Sequence, residues 1–242
     1  MIRRDPLVIF YLIIGVILPA ILSLIVENVI LKYIFMVFAL SFFSILFFYD
    51  VFKIIEKNDI VIYLSLMLFC GLVIPWYFSL IHELSHAITA IINGIEISGI
   101  EMNYPMGGVT HLEKETNFIG RENVAILIFI SGSLGSSLTA FILNRIAYKK
   151  ITFSVFFPLF IITSLRIVFE LLGWIIGVNY FIEGLSDNGF DPVGFLYYSQ
   201  IDPVFLLILL IVSLIVILGW FIFNLIKRIR EERNTIKKSI KK

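Results

Sequence analysis

Residues 60–93 read IVIYLSLMLFCGLVIPWYFSLIHELSHAITAIIN, an unbroken apolar stretch with His82-Glu83-Leu84-Ser85-His86 set near its end. The stretch exceeds the 20 or so residues that cross a bilayer as a helix, and Pro75 interrupts it. A kinked helix whose second part carries the polar residues is expected, because two separate crossings would each be too short. On such a helix, four residues turn the chain by about 400° and advance it by roughly 6 Å. The imidazoles of His82 and His86 then stand one above the other, where a single metal ion can take both. Glu83 reaches the ion's open position, where it can take a proton from water. With only three His in 242 residues, chance is a poor source of this spacing, and ionisable side chains inside lipid are costly enough to be functional by default.

The rest of the chain has the same character. Hydrophobic residues make up 60% and charged residues 15%, and the mean hydropathy is +1.00, far outside the range of a soluble domain. Further runs of spanning length cover 7–26, 30–49, 124–146, 151–181 and 204–226, so the expected fold is an all-α polytopic membrane protein with about six transmembrane helices. The first run lacks a small-x-small cleavage site and is expected to stay as a helix. Placing the N-terminus inside puts Arg3, Arg4, Lys53, Lys57, Arg145, Lys149, Lys150 and the basic tail after Ile226 on one side, against Lys32, Lys114 and Arg121 outside. This predicts a multi-pass protein of the cell membrane with both termini cytoplasmic. A single cysteine, Cys70, excludes an internal disulfide and any thiolate-rich metal site.

Three zones follow: 1–58, an accessory pair of helices; 59–202, a core holding every candidate reactive group; and 203–242, a last span with a basic tail. Between the motif helix and the next span, Gly94–Glu122 is the one sizeable polar stretch. Apolar and polar residues alternate over Ile95–Ser98, resume after Gly99, and return at Val109–Leu112 beyond the turn residues Pro105–Gly108. That pattern predicts a short β-hairpin or re-entrant segment. Its edge, at Gly107, Gly108, Val109 and Thr110, could hold an extended peptide by strand addition, which matters because a helical substrate hides its amide bonds. In Ser131-Gly132-Ser133-Leu134-Gly135-Ser136-Ser137 the small residues suit close approach of helix backbones, with the motif helix as the expected neighbour.

Two histidines leave a catalytic zinc site one protein ligand short. Asp187, Asp191, His111 and Glu170 are the candidates. Asp187 and Asp191 fall in the outer connection between the last two spans, on the side the motif is expected to reach. Glu170 stands four residues after Arg166 and is expected to pair with it.

With these residues the chain resembles the site-2 protease family of intramembrane zinc metallopeptidases, in particular a small branch with a Gly-Gly-Val-Thr segment after the motif helix. The resemblance covers roughly 81–191 and is anchored on His82-Glu83-Leu84-Ser85-His86, with Gly107-Gly108-Val109-Thr110 and Ser131–Ser136 as weaker supports. It implies a zinc-dependent endopeptidase that hydrolyses a peptide bond in or near the membrane-embedded part of a protein substrate. His82, His86 and Asp187 would be ligands and Glu83 the base. The better-known branch has an Asn where this chain has Ser136, and a Leu-Asp-Gly pattern where this chain reads Leu185-Ser186-Asp187-Asn188-Gly189. The expected partners are a membrane protein or peptide substrate and the lipid bilayer, with no nucleic acid. A non-catalytic membrane adaptor or transporter, and a prenyl-protein-type endopeptidase using Glu170 as third ligand, are the rival readings.

Overall fold

The computed structural model describes residues 16–45, 59–104, 107–113, 118–149, 153–185 and 190–240. In chain order the elements are α1 (Leu18–Ile25), α2 (Val29–Ile45), α3 (Ile60–Leu72), α4 (Ile74–Ile92), β1 (Ile97–Met102), β2 (Gly108–Leu112), α5 (Glu122–Lys149), α6 (Phe153–Ile182), α7 (Asp191–Ser199) and α8 (Pro203–Ile240). Among the described residues four helical stretches are long and apolar enough to span a membrane: Ile60–Ile92, Glu122–Lys149, Phe156–Ile182 and Pro203–Asn234. The shorter apolar helix Val29–Ile45 accompanies them. The fold is therefore that of an all-α polytopic membrane protein with one small hairpin. Of the six expected runs, the first is described only from residue 16 and the second only to residue 45.

Contacts divide the chain into two units. One comprises Met1–Pro75, Leu143–Ile162 and Phe223–Lys242, and the other Trp76–Ile142 and Thr163–Ile222. In the first, Ile45, Ile60, Tyr63, Ala147, Phe157, Phe160 and Ile229 form a buried apolar cluster. The long stretch 60–92 breaks at Val73, two residues before the proline expected to interrupt it. Proline has no N–H, so the carbonyl of Gly71, four residues earlier, loses its helical partner. The hydroxyl of Tyr33 on α2 donates to that carbonyl. Gly71 also lets the two helices close up, since a Cβ there would lie 2.5 Å from Val37 Cγ1. In lipid an orphaned carbonyl has no water to turn to. Tyr33→Phe should therefore cost about 1 kcal/mol, read as a lower unfolding midpoint in detergent; an unchanged midpoint would remove the hydroxyl from the account of the break.

The second unit holds the hairpin, and its register explains a slip in the sequence pattern. Apolar residues alternate at Ile95 and Ile97, then shift phase to Ile100 and Met102. β1 and β2 pair antiparallel with Ile97 opposite Leu112 and Ile100 opposite Thr110, and the register shifts between Ile97 and Gly99. One extra residue there is a β-bulge, which returns Ile97, Ile100 and Met102 to the same, more buried face. On β2 the half-buried Gly108, Thr110 and Leu112 alternate with exposed Val109 and His111.

A helix not anticipated from the sequence, α7, occupies the connection before the last span. It is nine residues long, starts at Asp191, and buries Pro192, Val193, Gly194, Phe195 and Leu196. Phe195 and Leu196 pack with Trp174 and Val178 of α6, the Trp174 and Phe195 rings meeting edge to face at 5.3 Å. Two glycines allow the docking. A Cβ on Gly177 would sit 2.7 Å from Pro192, and one on Gly194 would sit 2.5 Å from the ring of Phe129.

Candidate metal centre

Every residue of the site belongs to the second unit. The two imidazoles on α4 lie 4.7 Å apart, centroid to centroid, and their Nε2 atoms converge on one carboxylate oxygen. Asp191 Oδ2 is 3.0 Å from Nε2 of His82 and 3.1 Å from Nε2 of His86. Asp191 is the first residue of α7, so the docking of that helix is what carries the carboxylate to the histidines. Asp187, the aspartate favoured by the family resemblance, lies outside the described residues. Among the described residues, His82, His86 and Asp191 form the one group able to close around an ion, with their ligand atoms all within 4.8 Å of one another.

Three observations test whether zinc suits this place. Donor atoms about 2.0–2.1 Å from a tetrahedral ion stand about 3.3 Å from each other, close to the two distances found. Next, Nδ1 of His86 lies 2.6 Å from the carbonyl oxygen of Ile128. A carbonyl only accepts, so Nδ1 carries the proton, and in the neutral ring Nε2, the nitrogen turned to Asp191, then has the lone pair that a metal ligand needs. Finally, Glu83, Asp191 and Glu170 place three carboxyl groups around the cavity against one guanidinium, that of Arg166. With neutral imidazoles the ionised groups sum to −2, which a divalent cation balances in a setting where uncompensated charge is expensive. The residues fit zinc.

Glu83 is buried, at 5% exposure. Thr110 of β2 donates its hydroxyl to Glu83 Oε2 at 2.8 Å, and the same oxygen of Thr110 is 3.0 Å from the Glu83 carbonyl. Gly108 is glycine for a related reason: a Cβ there would fall 2.7 Å from Glu83 Cγ and 2.9 Å from the Glu101 carbonyl. The Gly107 N–H donates to Ser79 Oγ at 3.0 Å, tying the turn to the motif helix one turn before His82. Gly107, Gly108, Val109 and Thr110 all line a cavity of about 530 Å³ into which His82, Glu83 and His86 open, and whose apolar wall includes Phe129, Phe169, Trp174 and Phe190.

The small residues of α5 do approach α4. A Cβ on Gly132 would be 2.2 Å from His86 Nε2, and one on Gly135 would be 2.0 Å from Ser85 Oγ. His111, one of the candidate ligands, points to the other side of β2 from Thr110, is half exposed and lies 3.5 Å from Glu101. Glu170 pairs with Arg166 as the spacing predicts. It faces Nδ1 of His82 rather than the Nε2 atoms, which does not suit the third-ligand role of the prenyl-protein-type reading. Ser136 is fully buried and donates to Glu170 at 2.8 Å, behind the site rather than in its groove.

A polytopic helical bundle with two histidines and an aspartate converging beside a buried glutamate defines a membrane metallopeptidase of the site-2 protease type. The family model described as Peptidase M50B-like matches residues 60–232, most of the chain, and the protein belongs to that family. No curated protein and no solved structure matches the chain.

Proposed function

We propose that this protein is a zinc-dependent intramembrane endopeptidase that hydrolyses a peptide bond in or near the membrane-embedded part of a protein substrate, with His82, His86 and Asp191 as ligands and Glu83 as general base. The observation that carries the reading is the meeting of both Nε2 atoms at Asp191 Oδ2 next to Glu83. When bound, zinc polarises a carbonyl as a Lewis acid and makes water acidic enough to act near neutral pH. Glu83 takes the proton of the attacking water. Thr110 occupies Oε2, which leaves Oε1 to receive that proton and later to pass it to the leaving amine. The hydrogen bond from His86 Nδ1 to Ile128 keeps the second imidazole in the tautomer a ligand needs.

Gly107, Gly108, Val109 and Thr110 are proposed to receive the substrate as an extended strand. Within the described residues the sheet has two strands, so β2 has a strand partner on one side only, and all four residues line the cavity. The proposed orientation keeps both termini in the cytoplasm, following the distribution of basic residues.

Metal analysis tests the ligand set. The purified wild type should carry about one zinc per chain, and His82→Ala, His86→Ala and Asp191→Ala should each lose it. Full zinc in Asp191→Ala would return the third-ligand role to Asp187, and a zinc-free wild type would end the metalloprotease reading.

A further inference from the structure

Glu170 is held with more care than a partner for Arg166 requires. Its Oε2 accepts from Ser133 at 2.9 Å, and its Oε1 accepts from Ser136 at 2.8 Å and from Arg166. The direction of each hydroxyl is set by a group that can only donate. Trp174 Nε1 donates to Ser133 Oγ at 2.8 Å, and Arg166 Nη2 lies 3.3 Å from Ser136 Oγ, so each serine has its own proton left for Glu170. Both carboxylate oxygens are thereby fixed. Arg166, Glu170 and Trp174 recur every four residues on α6, and Ser133 and Ser136 lie one turn apart on α5, so two helix faces build the cradle.

What the cradle faces is the other nitrogen of a candidate ligand. Nδ1 of His82 is buried and makes no hydrogen bond, and Glu170 Oε1 stands 3.4 Å from it. If Nε2 of His82 binds an ion, Nδ1 must carry the proton, and a buried N–H needs an acceptor. We infer that Glu170 is a positioning residue for the metal centre: its carboxylate receives the Nδ1–H of His82 and fixes that ring's tautomer and orientation, while Ser133, Ser136, Arg166 and Trp174 fix the carboxylate. His86 has its counterpart in the Ile128 carbonyl. The two ligands differ in one respect. His86 leans on a neutral backbone group and His82 on a charged one, which makes His82 the ligand whose orientation depends on a side chain.

The inference rests on the metal reading above, and its test separates the two. The full-length chain in detergent is titrated with Zn2+ against a chelator and with Co2+ by its visible absorption. Wild type binding one ion, lost in Asp191→Ala, is the baseline; no binding by wild type overturns both readings. Because removing Glu170 alone strands a buried guanidinium, the pair is removed together in Arg166→Met/Glu170→Leu. This variant should still bind one ion, 10–100-fold more weakly, with an altered Co2+ spectrum. Should that variant not fold, Ser133→Ala/Ser136→Ala, which frees the carboxylate without stranding a charge, should weaken binding several-fold. Wild-type affinity and an unchanged Co2+ spectrum in the variants that fold would show that Glu170 serves only its ion pair with Arg166, and would overturn the inference.

Discussion

Replacing Glu83 by Gln should lower cleavage of a membrane-spanning reporter by about 10²–10⁴-fold while zinc stays bound. The substitution changes almost no volume, and the amide oxygen can still accept from Thr110, so the side chain should keep its place against β2. What is lost is the capacity to take a proton: the atom now turned to the cavity is an NH2 group, which donates only. The three ligand atoms belong to other residues, so metal content should remain near one per chain. The comparison with Asp191→Ala is the informative one, because that variant should lose both zinc and turnover. Undiminished proteolysis in Glu83→Gln would remove Glu83 as the base, and loss of zinc along with turnover would make it a structural support of the centre instead.

The parts of this architecture that depend on chain periodicity were legible in the sequence, and the parts that depend on docking were not. A four-residue spacing between His82 and His86 puts two imidazoles on one helix face wherever that helix lies, and their Nε2 atoms do meet a common point. Likewise the phase slip between Ile97 and Ile100 is a bulge written in the pattern of apolar residues. The nearness of Asp191 to the two histidines is of another kind. It turns on where α7 begins, and that is set by Pro192 against Gly177 and Gly194 against Phe129, contacts between segments far apart in the chain. Serines in an apolar span also carry two meanings. Ser133 and Ser136 read as small residues for helix packing, whereas their hydroxyls hold Glu170. A sign was present in the repeat of Arg166, Glu170 and Trp174 at four-residue intervals within an otherwise apolar helix, which marks one face as polar and turned inward. The break in the first long span shows the same limit on a smaller scale. Proline removes a donor to the carbonyl four residues before it, so the disturbance reaches back from Pro75, and the helix parts at Val73 where Tyr33 can serve Gly71.

Gly132→Ala should abolish stoichiometric zinc binding, lowering affinity by at least about 100-fold and activity with it, a larger effect than a single methyl usually has in a helix. The added carbon would stand 2.2 Å from His86 Nε2, 2.6 Å from His86 Cε1 and 2.7 Å from His82 Nε2, well inside any tolerable contact. Neither ring has room to yield. His86 is anchored through Nδ1 to Ile128, which lies four residues before Gly132 on the same helix, and His82 faces the fixed carboxylate of Glu170. A shift of about 1 Å in either nitrogen exceeds the tolerance of about 0.2 Å in a metal–ligand bond, so the methyl and the ion compete for the same space. Helix α5 itself should persist, because Ala favours a helix over Gly by about 0.8–1.0 kcal/mol and the three nearest atoms to the new methyl belong to the two imidazoles rather than to backbone. Gly219, in α8, supplies the control: a Cβ there meets nothing within 4 Å, so Gly219→Ala should leave zinc and cleavage untouched. Folded Gly132→Ala protein with full zinc would mean that the imidazoles are not held against α5, and the convergence on Asp191 would lose its structural basis.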